Sequence, residues 1–200
     1  MRLALGTVLA CALGLATGTA FGPSADSAVA PVPAPRTVLD LGDSLSVGTD
    51  PYLRKRLRGY RVERLYDVGL HAYDAAAVVT RSTASLPEVL VISAGTNDDP
   101  RMVSVFWRSI TRILRTAGHH RCVVWPTISR PPAVGASYDR FNRALAQASR
   151  RYRNLVLVGW ARMVRRHSGW LSRDRVHVGA TGYRARAEAI ATAVKTRCGS

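Results

Sequence analysis

Short apolar runs alternate with stretches of helical spacing along most of the chain, and this alternation sets the predicted elements. The first run, Thr37-Val38-Leu39-Asp40-Leu41, reads as a strand near Val38–Leu41. It leads through Gly42-Asp43-Ser44-Leu45-Ser46-Val47-Gly48 into a predicted helix around Pro51–Arg58. Tyr60–Val68 alternates as a strand does, and Ala72–Arg81 is helical in composition. Val89-Leu90-Val91-Ile92-Ser93 is continuously apolar, as expected of a central parallel strand covered on both faces. Asp98-Asp99-Pro100 is predicted to open a helix that runs to about Thr116 and ends at Ala117-Gly118. A fourth strand, Cys122-Val123-Val124-Trp125, is followed by a loop over Ser129–Ser137 and an amphipathic helix over Tyr138–Arg153. Leu155-Val156-Leu157-Val158 is the fifth strand, and the last helix occupies roughly Gly182–Thr196.

Strands separated by helices imply a single α/β domain, a three-layer α/β/α sandwich around an open parallel sheet of five strands with right-handed crossovers. Such sheets bind ligands outside the carboxyl ends of their strands, near the topological switch point. Those ends carry Ser44 after the first strand, Asp67-Val68-Gly69-Leu70-His71-Ala72 after the second, and Ser93-Ala94-Gly95-Thr96-Asn97-Asp98 after the third. Asp174-Arg175-Val176-His177 precedes the last helix. No internal repeat and no second domain is visible.

Composition narrows the class. The chain has 200 residues, 47% hydrophobic and 21% charged, which excludes a disordered polymer. Its formal charge is +16, with arginine spread over nearly every predicted helix rather than clustered with aromatics. That spread argues against nucleic acid as partner and describes a solvated cationic surface, suited to attraction toward an anionic cell envelope. An arginine-biased proteome would produce the same surface with no function attached.

Met1-Arg2 followed by apolar or small residues from Leu3 to Ala20 has the form of a secretory signal peptide. Residues 1–30 are assigned to it and the start of an Ala/Pro-rich passage, residues 31–36 to the linker, and residues 37–200 to the folded domain. A membrane anchor or a lipoprotein through Cys11 fits less well, the segment being weakly hydrophobic and the cysteine early. Export removes Cys11, leaving Cys122 and Cys198 as a candidate disulfide between the start of a central strand and the end of the last helix. The alternative is a buried thiol and a free one.

The Gly42–Gly48 stretch alone is an ordinary strand-to-helix turn with a capping serine, though such a corner also exposes a hydroxyl near free backbone donors. Three blocks change its meaning. Gly42-Asp43-Ser44-Leu45, Gly95-Thr96-Asn97-Asp98 and Asp174-Arg175-Val176-His177 resemble, in order, the nucleophile, Gly-x-Asn-Asp and Asp-x-x-His blocks of the SGNH (GDSL-type) hydrolases. The resemblance covers nearly all of residues 37–198 and implies a flavodoxin-like sheet. It further implies Ser44 as nucleophile, His177 as general base, and Asp174 as the carboxylate that orients the imidazole. The oxyanion would meet the Ser44 N–H, the Asn97 side-chain amide and a backbone N–H of the second block. Gly69 is the first choice for that last donor and Ala72 the alternative.

The function so implied is a secreted serine esterase or acylhydrolase, monomeric, acting on a small-molecule, glycan or lipid ester without cofactor or metal. Rivals are an extracellular polysaccharide O-acetyltransferase of the same fold and a non-catalytic, cationic wall-binding module. Asp43 and Asp98 read as scaffold hydrogen-bonders, and His71 as either a pocket-lining or a surface residue. His119-His120 are expected to cap a helix end, His167 to be solvated, and the four tryptophans to serve as core or pocket wall. The acyl pocket is expected from Ser129–Ser137 and Met163–Arg173.

Overall fold

The computed structural model describes residues 36–199. The predicted signal peptide and all of the predicted linker except Arg36 lie outside the described residues. Strands β1 (Arg36–Gly42), β2 (Tyr60–Tyr66), β3 (Val89–Ser93), β4 (Cys122–Pro126) and β5 (Leu155–Val158) form one sheet. All its pairings are parallel and its order is β2-β1-β3-β4-β5. The chain starts at β1, next to the edge, steps out to β2 at the edge, and returns across β1 to β3 at the centre. The order therefore reverses between β1 and β3, where a doubly wound sheet opens its ligand crevice.

Alternate residues of each strand serve the two layers. Leu41, Leu90, Ile92, Val123 and Trp125 pack with helices α2 (Ala72–Arg81), α3 (Val103–Ala117) and α4 (Asp139–Arg151). Val38, Val89, Val91, Val124 and Val158 pack with α1 (Ser44–Arg56) and α6 (Ala180–Arg197). The fully buried run of β3 has the expected continuous apolar pattern. Asp40 breaks that pattern in β1, a carboxylate 1% exposed within the sheet.

Two helix starts and one additional helix depart from expectation. Helix α1 begins at Ser44, with Pro51 inside it, because the Asp43 side chain accepts from the Leu45 N–H at 3.0 Å and caps the helix there. The cap is thus Asp43, and Ser44 is the first helical residue. Helix α3 begins at Val103 because the acidic residues before it are otherwise engaged: Asp98 accepts from the Ala72 N–H, and Asp99 pairs with Arg101. A short helix α5 (Trp160–Arg166) occupies a stretch for which no helix is expected; Trp160 and Val164, one turn apart, are buried there. The end of α3 is closed by Gly118 and by the Arg121 guanidinium donating to the Ala117 carbonyl rather than by His119 or His120.

Cys122 and Cys198 form a disulfide across 76 positions of sequence, joining β4 to the residue after α6. Closing a loop of that length stabilises by about 4 kcal/mol in the chain-entropy account.

Candidate active site

The β1–α1 corner is tight because Gly42 has no side chain: a Cβ there would lie 2.0 Å from Ser46 Oγ and 2.9 Å from Ser93 Cβ. The corner is tied to its neighbours on both sides. The Asp43 N–H donates to the Ser93 carbonyl at 3.1 Å, and the Asp67 N–H donates to the Gly42 carbonyl at 3.1 Å. The second-block loop therefore lies beside the turn that carries Ser44.

His177 and Asp174 come from the loop before α6. That loop is closed by the Ser172 N–H donating to the His177 carbonyl (2.9 Å) and the Gly179 N–H donating to the Trp170 carbonyl (2.8 Å). Arg175 takes a left-handed φ of 57°, which turns the chain back so that Asp174 meets its own successors. Asp174 Oδ1 accepts from the Val176 and His177 N–H groups, each at 3.0 Å. Its Oδ2 lies 2.6 Å from His177 Nδ1, and His177 Nε2 lies 2.8 Å from Ser44 Oγ. A carboxylate only accepts, so Nδ1 carries the proton and Nε2 is free to accept from the serine hydroxyl. The imidazole hydrogen bond, helped by the Val176 N–H, lowers the Asp174 carboxyl to about 2.

The loop after β3 is anchored by its carbonyls. Trp125 Nε1 donates to Ala94 (3.1 Å), the Tyr138 hydroxyl donates to Asp98 (2.9 Å), and the Arg130 guanidinium donates to Thr96. Asn97 sits between two of these anchors and donates one amide hydrogen to the Leu70 carbonyl at 3.3 Å, which holds it against the second-block loop. In that loop the Ala72 N–H is taken by Asp98, at 3.0 and 3.3 Å from its two oxygens, so Ala72 is not a free donor. Gly69 has φ 94° and is exposed. Among the described residues no protein acceptor engages the Gly69 or Ser44 N–H. His71 lies 3.7 Å from Asp98 and stacks on Tyr73, making it a neighbour of the site.

Beneath the corner lies a polar cluster that the sequence reading leaves out. Arg186 of α6 is 2% exposed and donates to Ser93 Oγ at 2.7 Å and to Thr49 Oγ1 at 3.3 Å. Asp40 accepts from the Tyr66 hydroxyl at 2.9 Å and from Ser46 Oγ at 3.3 Å, and burial pushes its carboxyl up to about 6. Burial also raises Asp43, against the pull of Arg186. The one visible signal for this cluster was Asp40 itself, a charged residue inside a predicted central strand.

A cleft of about 320 Å³, lined by Ser129, Arg130, Pro131, Leu171 and Arg175, lies alongside the Asp174–His177 loop. It draws on both segments expected to build the acyl pocket. Among the described residues no group of three or more His, Cys, Asp or Glu side chains has the geometry of a metal site.

No family model matches the chain, and no curated protein matches it in sequence. Solved structures do match. The catalytic domain of a Streptococcus pneumoniae peptidoglycan O-acetyltransferase A is 20% identical, with a TM-score of 0.68 over 82% of this chain and 94% of that one. A protein named TesA is 22% identical, with a TM-score of 0.68 over 80% of this chain and 98% of that one. A GDSL-like lipase from Bacteroides thetaiotaomicron is 16% identical, with a TM-score of 0.64 over 82% of this chain and 90% of that one. At these identities the likeness speaks for the fold.

Proposed function

We propose, on the premise that this chain has the fold of the SGNH (GDSL-type) hydrolases, that it is an exported serine esterase or acylhydrolase. The observation that carries the reading is the continuous hydrogen-bonded line from Ser44 Oγ through His177 to Asp174, at the carboxyl end of β1. In the reaction, His177 Nε2 takes the Ser44 proton as Oγ attacks the ester carbonyl. The resulting oxyanion is met by the Ser44 and Gly69 N–H groups and by the second amide hydrogen of Asn97. Asp174 stabilises the imidazolium, which returns its proton to the departing alcohol oxygen. Water, deprotonated by the same Nε2, then attacks the acyl-Ser44 carbonyl and releases the acid.

A second reading shares the acyl-enzyme and replaces water by a sugar hydroxyl, giving a polysaccharide O-acetyltransferase. The likeness to the pneumococcal O-acetyltransferase domain favours keeping it. The apolar stretch Leu3–Ala20 and the Cys122–Cys198 disulfide support export.

The test is hydrolysis of p-nitrophenyl acetate by the purified chain lacking its leader. Wild type is expected to turn over, and Ser44→Ala to lose at least about 10⁴ of the rate. A folded Ser44→Ala protein of equal activity overturns the mechanism. A product burst whose slow phase is accelerated by oligosaccharide acceptors favours the transferase.

A further inference from the structure

Among the described residues Arg186 is the only buried arginine of a chain whose cationic residues otherwise lie at least partly in solvent. A guanidinium in the interior is held only at a substantial desolvation cost, and an apolar side chain of similar volume would often pack there as well. Its partners point toward the reacting serine. One arm donates to Ser93 Oγ (2.7 Å), which donates to Asp43 Oδ1 (3.4 Å), which accepts from the Leu45 N–H (3.0 Å). The other arm donates to Thr49 Oγ1 (3.3 Å), which donates to the Leu45 carbonyl (2.6 Å). Both backbone polar groups of Leu45, the residue after Ser44, are therefore reached from one buried cation.

We propose that Arg186 is a positioning residue for Ser44: its charge, relayed through Ser93 and Thr49, keeps the buried Asp43 cap ionised and the first turn of α1 in place. Asp43 is 0% exposed and its Oδ2 has no protein partner. Burial disfavours the charge on such a carboxylate, and the Arg186 guanidinium is the largest influence favouring it, ahead of the hydrogen-bond donors. Once protonated, it accepts more weakly from the Leu45 N–H and no longer opposes the positive end of α1. The Ser44 N–H and Oγ would then be free to drift.

The other groups facing this pair come from every surrounding element. Asp40 of β1 and Tyr66 of β2 draw on the same guanidinium, the Asp43 charge helps raise Asp98 after β3, and Tyr183 of α6 lies near both Asp43 and Arg186. Trp160 of α5 packs its ring 5.6 Å from the guanidinium carbon. Burial raises both Asp40 and Asp43 while Arg186 pulls both down, so removing the cation moves each further up.

The inference rests on Ser44 being the nucleophile, and labelling of wild type by a fluorophosphonate tests that premise separately: without a label on Ser44, the premise fails. Given labelling, kcat/KM for p-nitrophenyl acetate is measured against pH in Arg186→Met, Arg186→Lys, Asp43→Asn and the Arg186→Met/Asp43→Asn pair. Arg186→Met is expected to lose about 10- to 100-fold near neutral pH, with its acid limb moved to higher pH. Arg186→Lys, which keeps the charge but not the fork, should fall between wild type and Arg186→Met. In the Asp43→Asn background the cap carries no charge, so adding Arg186→Met should cost less than about threefold and leave the limb where it is. Equal losses in both backgrounds, or a loss without any limb shift, overturn the proposal. So does a loss that disappears with Asp40→Asn instead. If Arg186→Met alone does not fold, the double variant is expected to fold, and its failure to do so also overturns it.

Discussion

Asp174 and Asp43 both act close to Ser44, yet one is 50% exposed in its side chain and the other 0% exposed as a residue. Asp174 lies on a surface loop, held by two backbone N–H groups and an imidazole, and its carboxyl is lowered to about 2. Asp43 lies under the sheet edge with a guanidinium two hydrogen bonds away, and burial drives its carboxyl upward. The same side chain is thus held charged in one place chiefly by hydrogen-bond donors and in the other, against burial, by a counter-ion together with donors. The exposed pair can change partners during a reaction, because water screens each step and little packing depends on it. The buried pair cannot, since any uncompensated charge there is expensive. Under the proposed mechanism, acid–base work belongs to the wet side of this serine and alignment to the dry side.

The contrast has measurable consequences, the largest at the wet side. Asp174→Asn should reduce kcat by about 10⁴, by leaving the imidazole in the wrong tautomer, while the melting temperature stays nearly unchanged. A large fall in melting temperature would show that the loop carries structural weight the contrast denies it. On the dry side, Asp43→Ala should unfold more readily by about 1–2 kcal/mol in urea denaturation, with a smaller loss of rate than Asp174→Asn.

The pH response separates the two carboxylate settings further. Asp174, with a folded pKa below its unfolded one, contributes stability above pH 3.8 that is lost as pH falls toward about 2. Asp40, raised to about 6, has the opposite sign: the folded state holds its proton longer, so its burial becomes destabilising as pH rises from 3.8 to about 6. Asp40→Asn should therefore flatten the melting temperature profile in that window, and an unaltered slope would place the titration elsewhere. The smallest effect is expected at Arg175, whose φ of 57° strains an ordinary side chain. Arg175→Gly should raise stability by about 0.5 kcal/mol in the same denaturation assay, since relief of strain slightly exceeds the added chain entropy.

Much of this architecture was legible along the chain. Each strand announces itself by its own apolar run, as Val89–Ser93 does, and parallel pairing follows because helices separate the strands. The Asp174–His177 pair is legible as a short block that resembles the family's Asp-x-x-His block, and its contact spans only three positions. Legibility ends where the partner is distant. The predicted helix around Pro51–Arg58 starts later than the observed α1, whose cap is Asp43, which is secured by Ser93 of another strand. Gly69 and Ala72 were equivalent as backbone donors until Asp98, from another loop, took up the Ala72 N–H. Arg186 looked like any other arginine on a helix.

Local periodicity thus suffices for the strand–helix order, and the resemblance of three short blocks for the serine corner and the carboxylate–imidazole loop, because each rests on residues a few positions apart. Which N–H groups stay unpaired beside Ser44, and which of many arginines is enclosed beneath it, depends on contacts such as Arg186 with Ser93, 93 positions away. Such contacts exist only once β1, β3 and α6 are packed together, since burial, and with it the energy of a charge, belongs to the packed layers and not to the chain.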